Sequence, residues 1–240
     1  MVGTESQPTS RTLQTRMFRK ETLVPTLTLD HLTEQLELAD EMRIGRDHML
    51  EPQDLPGRFG RAIRAVDHLL QAIDCPAVVA GGWAVWRHGY VGRVTEDVDI
   101  VLPLDRIDEF LNAATFGGFE RLPVRPGNWP KLKHKESDIT VDVLPEGATP
   151  GTASRLAPTT IPHPDNLGAD GSTLKYISLD GLIELKLAAG RARDESDVVE
   201  LVRANANQVA SIREHLANVH PRYVAQFDIL AAKAAEQTDD

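Results

Sequence analysis

Cysteine is almost missing from this chain: Cys75 is the only one in 240 residues. No internal disulfide can form, which fits a reducing, cytoplasmic setting. Long apolar runs are missing as well. The longest, around Cys75 to Trp86, is broken by Pro76 and by Gly81-Gly82. It falls well short of the ~18 residues a membrane-spanning helix needs, so no membrane partner is expected. Positive charge is in deficit: 26 Lys and Arg face 36 Asp and Glu, a formal net charge of -10. The averaged field repels phosphate, so a nucleic-acid partner would have to meet a local basic patch, whereas a small substrate meets less opposition. No internal repeat is present. What remains, 41% hydrophobic and 26% charged, is enough for one sizeable core or two modest ones.

Residues 1–25 are rich in Ser, Thr, Gln and Arg without an apolar period and read as a flexible tail. Leu29, Leu32, Leu36, Ala39 and Met42 then follow helical spacing, with Asp30 placed to cap, and Phe59, Ile63, Val66, Leu70 and Ile73 do so again. Ala77 to Ala80 is a short apolar run ended by Gly81-Gly82, which reads as a buried strand entering a tight turn, with a brief helix over Trp83 to His88. Asp97 to Leu102 is a second strand, stopped by Pro103. Asp105 is placed to cap a helix carrying Ile107, Phe110, Leu111 and Ala114, and Ile139 to Leu144 is a third strand, stopped by Pro145. This alternation predicts an α+β chain: a small mixed sheet flanked by helices over residues 26–170. After a Pro- and Gly-rich stretch from Glu146 to Thr173, the pattern becomes helical. Leu179 to Ala189 is closed by Gly190, and Asp194 to Val202, Gln208 to Leu216 and Pro221 to Ala234 follow, giving a C-terminal helical bundle over residues 171–240.

The chemistry concentrates around the second strand. Alternate residues of a strand share a face, so Asp97 and Asp99 project together while Val98 and Ile100 point the other way. At ~4 Å two carboxylates repel by about 1 kcal/mol in water and by about 4 kcal/mol at an effective dielectric of 20. A hard divalent cation with oxygen ligands relieves that repulsion, and magnesium is the usual occupant. An isolated Asp-x-Asp is ordinarily a solvent-exposed strand end, but this one has context. A glycine turn opening onto a helix presents bare backbone N–H groups to phosphate. Asp142 lies in the apolar run Thr140-Val141-Asp142-Val143-Leu144, where acids are normally excluded. If its strand lies beside that of Asp97, three carboxylates converge. Such a trio suits two metal ions in an in-line displacement at phosphorus.

Val79-Ala80-Gly81-Gly82-Trp83-Ala84, His88-Gly89 and Arg93-Val94-Thr95-Glu96-Asp97-Val98-Asp99-Ile100 together resemble the nucleotidyltransferase superfamily that includes DNA polymerase β. The stretch from Asp180 to Asp197, with its Lys186-Leu187-x-Ala189 and Arg191-x-x-Asp194-x-x-Asp197 patterns, is similar to minimal bacterial members such as the AbiEii-like toxins. The resemblance covers roughly Val78 to Val202. It implies a nucleotidyltransferase fold and transfer of a nucleoside monophosphate from a nucleoside triphosphate such as ATP to an acceptor hydroxyl. The acceptor would be a tRNA end, a protein side chain or a small molecule such as an aminoglycoside. It further implies one or two Mg2+ ions, with Mn2+ as a substitute, held by Asp97, Asp99 and Asp142, and Asp142 as base toward the acceptor. Gly81 and Gly82 would lie against the triphosphate, Arg93 and Thr95 would line the nucleotide site, and Lys186 would reach the phosphates or the acceptor. Toxin-type relatives imply an antitoxin partner. One departure stands out: residues 83–96 make the spacer before Asp97 one residue longer than the family pattern, with Tyr90-Val91-Gly92 the place for a looped-out residue.

Structural roles compete for several of these residues. Lys186 sits among Leu182, Leu185 and Leu187, where a lysine commonly lays its stem on the core and sends its head to water. Asp194 and Asp197 are placed to cap and charge a helix start. His88, Trp83 and Trp86 read as packing residues. Trp129, Lys131, Lys133 and Lys135 alternate as on a strand, either as a platform for RNA or acceptor or as charges guarding a sheet edge. Were the three aspartates to belong to a catalytically silent fold, the chain would be a nucleotide-binding or protein-interaction module instead.

Overall fold

The computed structural model describes residues 29–125, 127–152 and 155–236, so the expected flexible tail lies outside the described residues. The elements are α1 (Leu29–Asp47), α2 (Gly57–Ala72), β1 (Val78–Ala80), α3 (Gly81–Arg87), β2 (Asp97–Leu102), α4 (Ile107–Phe116), β3 (Phe119–Leu122), β4 (Lys131–His134), β5 (Ile139–Pro145), the hairpin strands β6 (Gly151–Thr152) and β7 (Arg155–Leu156), β8 (Lys175–Tyr176), α5 (Leu179–Ala189), α6 (Ala192–Ala204), α7 (Val209–Val219) and α8 (Pro221–Glu236). Six strands form one mixed sheet in the order β3-β4-β5-β2-β1-β8, flanked by helices and followed by the C-terminal helices. β2 is parallel to β5 and antiparallel to β1, while β4 is antiparallel to both of its neighbours.

Each face of the sheet has its own apolar cover. One face presents Val79, Val98, Ile100, Leu102, Val141 and Val143 to α2 and α4, with Phe59, Ile63, Val66, Leu70, Phe110 and Ala114 buried against it. The opposite face presents Val78, Ala80 and Val101 to the C-terminal helices, where Leu182, Ile183, Leu201, Ile212, Leu216, Tyr223 and Phe227 are buried. α3 serves both sides: Trp83 and Trp86 enter the first cluster, Ala84 and Val85 the second. Transfer of this much apolar surface from water is the main force holding the layers together.

Local sequence explains the element ends. Ser178 Oγ accepts from Gly181 N at 3.2 Å to cap α5, and Gly190 closes it at φ 61°, the left-handed region that glycine enters without a Cβ penalty. Other expectations need correction. Leu36 is 68% exposed, and among the described side chains of α1 Leu38 and Met42 are the buried apolar ones, while Asp30 lies inside the helix rather than at its cap. Asp105 occupies a 3-10 turn over Leu104–Arg106 and caps nothing, since no side chain bonds the start of α4. The lysine-bearing β4 is an interior strand, covered on its outer side by β3, so its lysines guard no edge.

Candidate active site

Strand parity and register assemble the site. β2 pairs in register with β5, setting Asp99 beside Asp142 and Asp97 beside Thr140, so the three acids share one face. Along that face the residues change from Asp97 and Asp99 to Val101, and from Asp142 to Leu144. The apolar ends lie against the C-terminal helical cluster. The acids therefore sit where the helical cover stops, on the floor of a cavity of about 730 Å³ lined also by Arg93, Thr95, Trp129, Lys131, Arg191 and Arg193. A smaller space of about 100 Å³ adjoins it, bounded by Gly81, Asp99, Trp129 and Lys186.

The glycine corner is shaped around the acids. Gly81 has φ 61°, and a Cβ on it would fall 1.7 Å from Asp99 Oδ2. A side chain is excluded there both by conformation and by the approach of the carboxylate. Gly82 backs onto Thr95 instead, whose Oγ1 would stand 2.7 Å from an added Cβ. Thr95 is buried and donates through Oγ1 to Asp97 Oδ1 at 2.7 Å, fixing that carboxylate. Of the two glycines, Gly81 lines a cavity beside Asp99, whereas Gly82 makes room for the residue that orients Asp97.

Electrostatics mark the floor as short of positive charge. Burial, then repulsion from Asp97 and Asp142, pushes Asp99 up to about 7, against smaller opposing effects of Lys186 and Arg93. Asp142 is also raised, first by burial, with the bond from Lys131 pulling the other way. Its Oδ2 accepts from Lys131 Nζ at 2.5 Å, and its Oδ1 is buried without a partner. Among the described residues, no three His, Cys, Asp or Glu side chains stand in a geometry that would hold a metal ion. The expected closed trio is thus an open one: the acids share a face and a cavity, but Lys131 holds one of them. The donor set still suits a hard divalent cation, since it consists of carboxylate oxygens, one of them buried and unsatisfied, around a carboxyl that burial and like charge keep from ionising.

Lys186 borders the smaller space beside Asp99, and it does not send its head to water as a snorkelling lysine would. Its ammonium is buried, bonded to Asp194 Oδ1 at 3.2 Å and to Asp197 Oδ2 at 2.7 Å, so its head reaches no bulk water. Asp197 also accepts from Arg93 Nη1, which ties the loop before β2 to α6. Asp194 does cap α6, accepting from Arg191 N at 3.2 Å, but Asp197 is a counter-ion rather than a cap. The sequence carries a signal for this role of Asp197: it lies one position before Val198 and four before Leu201, on the buried stripe of an amphipathic helix. Arg191 and Arg193, which belong to the Arg191-x-x-Asp194 pattern, both line the larger cavity. His88 packs as expected, buried enough that its titration is lowered, with its ring nitrogen bonded to Ile177 O at 2.8 Å. Trp83 and Trp86 are core residues. The supposed lysine platform is internally neutralised, Lys131 by Asp142 and Lys133 by Asp138. No described helix is long and apolar enough to cross a membrane.

No family model matches the chain, and no curated protein matches it. Among solved structures, the solution structure of the antibiotic-resistance factor ANT(2'')-Ia is similar at a TM-score of 0.39 and 14% identity, over 75% of this chain and 92% of that one. The same factor in complex with adenylyl-2''-tobramycin gives 0.38 and 15%, over 74% and 97%. An antigenic nucleotidyltransferase-like protein from Paracoccidioides brasiliensis gives 0.38 and 14%, over 79% and 93%.

Proposed function

We propose that this chain is a divalent-metal-dependent nucleotidyltransferase, which moves a nucleoside monophosphate from a nucleoside triphosphate to an acceptor hydroxyl. The observation that carries this reading is the register that sets Asp97, Asp99 and Asp142 on one face, at the floor of a single large cavity beside the Gly81 corner. Three acids held where two of them resist ionisation destabilise a fold that has no use for them.

Asp97, Asp99 and Asp142 are the residues that would hold the metal. When bound, Mg2+ or Mn2+ neutralises charge on the transferred phosphate and lowers the pKa of an attacking hydroxyl. The rest falls to the chain's own groups. Thr95 keeps Asp97 aimed into the cavity. Gly81 lets the backbone come close to the phosphates. Asp142, whose Oδ1 is free to accept, takes the acceptor's proton. Arg191 and Arg193 offer positive charge to the departing pyrophosphate from the cavity wall. Lys186 and Arg93, each held by Asp197, set the helical half against the acidic strand from positions that still border the cavity.

The test is incubation with Mg2+, each labelled triphosphate in turn, and pools of tRNA, protein and aminoglycosides, comparing wild type with an Asp97→Ala, Asp99→Ala double variant. Label transferred by the wild type alone supports the enzyme and identifies the acceptor class. Absence of transfer with every donor and every pool refutes it in favour of a silent binding module.

A further inference from the structure

Lys131 is a cation inside the site that the proposed chemistry does not use. β4 runs antiparallel beside β5 and places Lys131 directly across from Asp142, with Nζ 2.5 Å from Oδ2. The neighbouring cations have other acids to answer to: Arg93 is bonded to Asp197, Lys186 to Asp194 and Asp197, and Arg191 lies 3.7 Å from Asp194. Among the described residues, Lys131 is the cation that the structure shows bonded to a member of the acidic trio. It is also the more exposed partner, its side chain 42% exposed against 20% for Asp142. A lysine is a point charge on a flexible four-carbon stem and can leave one anion for another at small cost.

We propose that Lys131 is a displaceable counter-ion: it holds Asp142 while no metal is bound, gives up Oδ2 to an arriving divalent cation, and turns its freed ammonium to the polyphosphate of the nucleotide. The inference rests on the metal-dependent reading of the same site. A metal and an ammonium cannot both take Oδ2 at full strength, so the two compete. The cavity that the three acids floor is the same one that Lys131 lines, so the released charge stays where a triphosphate must lie. Metal and polyphosphate then favour each other's binding beyond simple chelation, and the coupling is reciprocal.

The experiment uses Mn2+ alone, followed by electron paramagnetic resonance, and then inorganic triphosphate titrated calorimetrically into the manganese-saturated protein. Lys131→Met and Lys131→Gln are compared with wild type. Loss of the competing ammonium should tighten Mn2+ binding roughly two- to fivefold, the range for removing a partly exposed ion pair, and weaken inorganic triphosphate by a similar factor. Lys131→Arg keeps the charge and should not tighten Mn2+. In the wild type labelled with isotope at lysine, the side-chain resonance missing from Lys131→Gln should shift on adding Mg2+ and again on adding inorganic triphosphate, a readout that needs no folded variant with altered affinity. Mn2+ affinity unchanged or weakened in both neutral variants, or a Lys131 resonance unmoved by Mg2+, overturns the proposal while leaving metal binding intact. A wild type that binds no Mn2+ at all overturns this inference and the metal-dependent reading together.

Discussion

Asp99→Asn should stabilise the metal-free protein at alkaline pH, and the size of the effect follows from the site. The folded chain holds Asp99 at about 7, against an ordinary value of 3.8. A carboxyl raised in this way binds its proton more tightly folded than unfolded, so its contribution is greatest below the unfolded value and is lost as pH rises through the folded one. Each unit corresponds to 1.36 kcal/mol, so the penalty above pH 7 approaches about 4 kcal/mol as a ceiling. At pH 5 most of it has not yet developed, and the two-state expression leaves roughly 2 kcal/mol. Asparagine has nearly the same shape and carries no charge. In a chelator, the variant should thus melt above wild type at both pH values, with the advantage growing by roughly 2 to 3 kcal/mol between pH 5 and pH 8. At about 2–4 °C per kcal/mol for a chain of this size, that growth is readable by circular dichroism. Addition of Mg2+ at pH 8 should raise the wild type and leave the variant nearly unmoved. A variant that melts below wild type at pH 8 in chelator, or an advantage that does not change with pH, would refute the account of the acidic floor.

Three further outcomes follow. Asp197→Ala removes the acid shared by Lys186 and Arg93 and should destabilise by roughly 3 kcal/mol in urea denaturation, the low end for a broken buried pair because Asp194 still holds Lys186. Gly81→Ala forces a Cβ into Asp99 at a positive φ and should reduce any transfer activity roughly a hundredfold, since displacements of about an ångström at a reacting centre have that effect; an active, stable variant would show that the corner is not tight. Asp67→Ala leaves the buried N–H of Leu174, now bonded to Asp67 Oδ1 at 2.8 Å, without a partner, and should lower unfolding free energy by about 1–3 kcal/mol with no change in metal affinity.

The acid-bearing strands were legible because their message is local. Asp97-Val98-Asp99 carries its own face assignment through strand parity, and Asp142 announces itself as an acid in an apolar run. The C-terminal helices were legible through their periods and through Gly190. What escaped depends on partners distant in sequence. β8 is only Lys175 and Tyr176, extended because β1 lies beside it, and no two-residue segment declares that alone. The pairing of Lys131 with Asp142 needs the register of β4 on β5, which the alternation of lysines did not reveal. In α1 a helical period fitted Leu32, Leu36 and Ala39, but the neighbours that decide burial turn Leu36 outward and bury Leu38 instead. The tie between Asp197 and Arg93 spans 104 positions and joins two segments that each look complete by themselves.

α3 has opposite flanks in two different oily layers, and it begins at the corner that touches Asp99. Seven residues thus join the two layers. We expect one shared melting event rather than two staggered ones, so anything that grips the corner lifts the whole profile. At a hundred times its Kd such a compound adds about 2.7 kcal/mol. Candidate ligands can then be ranked by a dye-based melt across a chemical library without an activity assay.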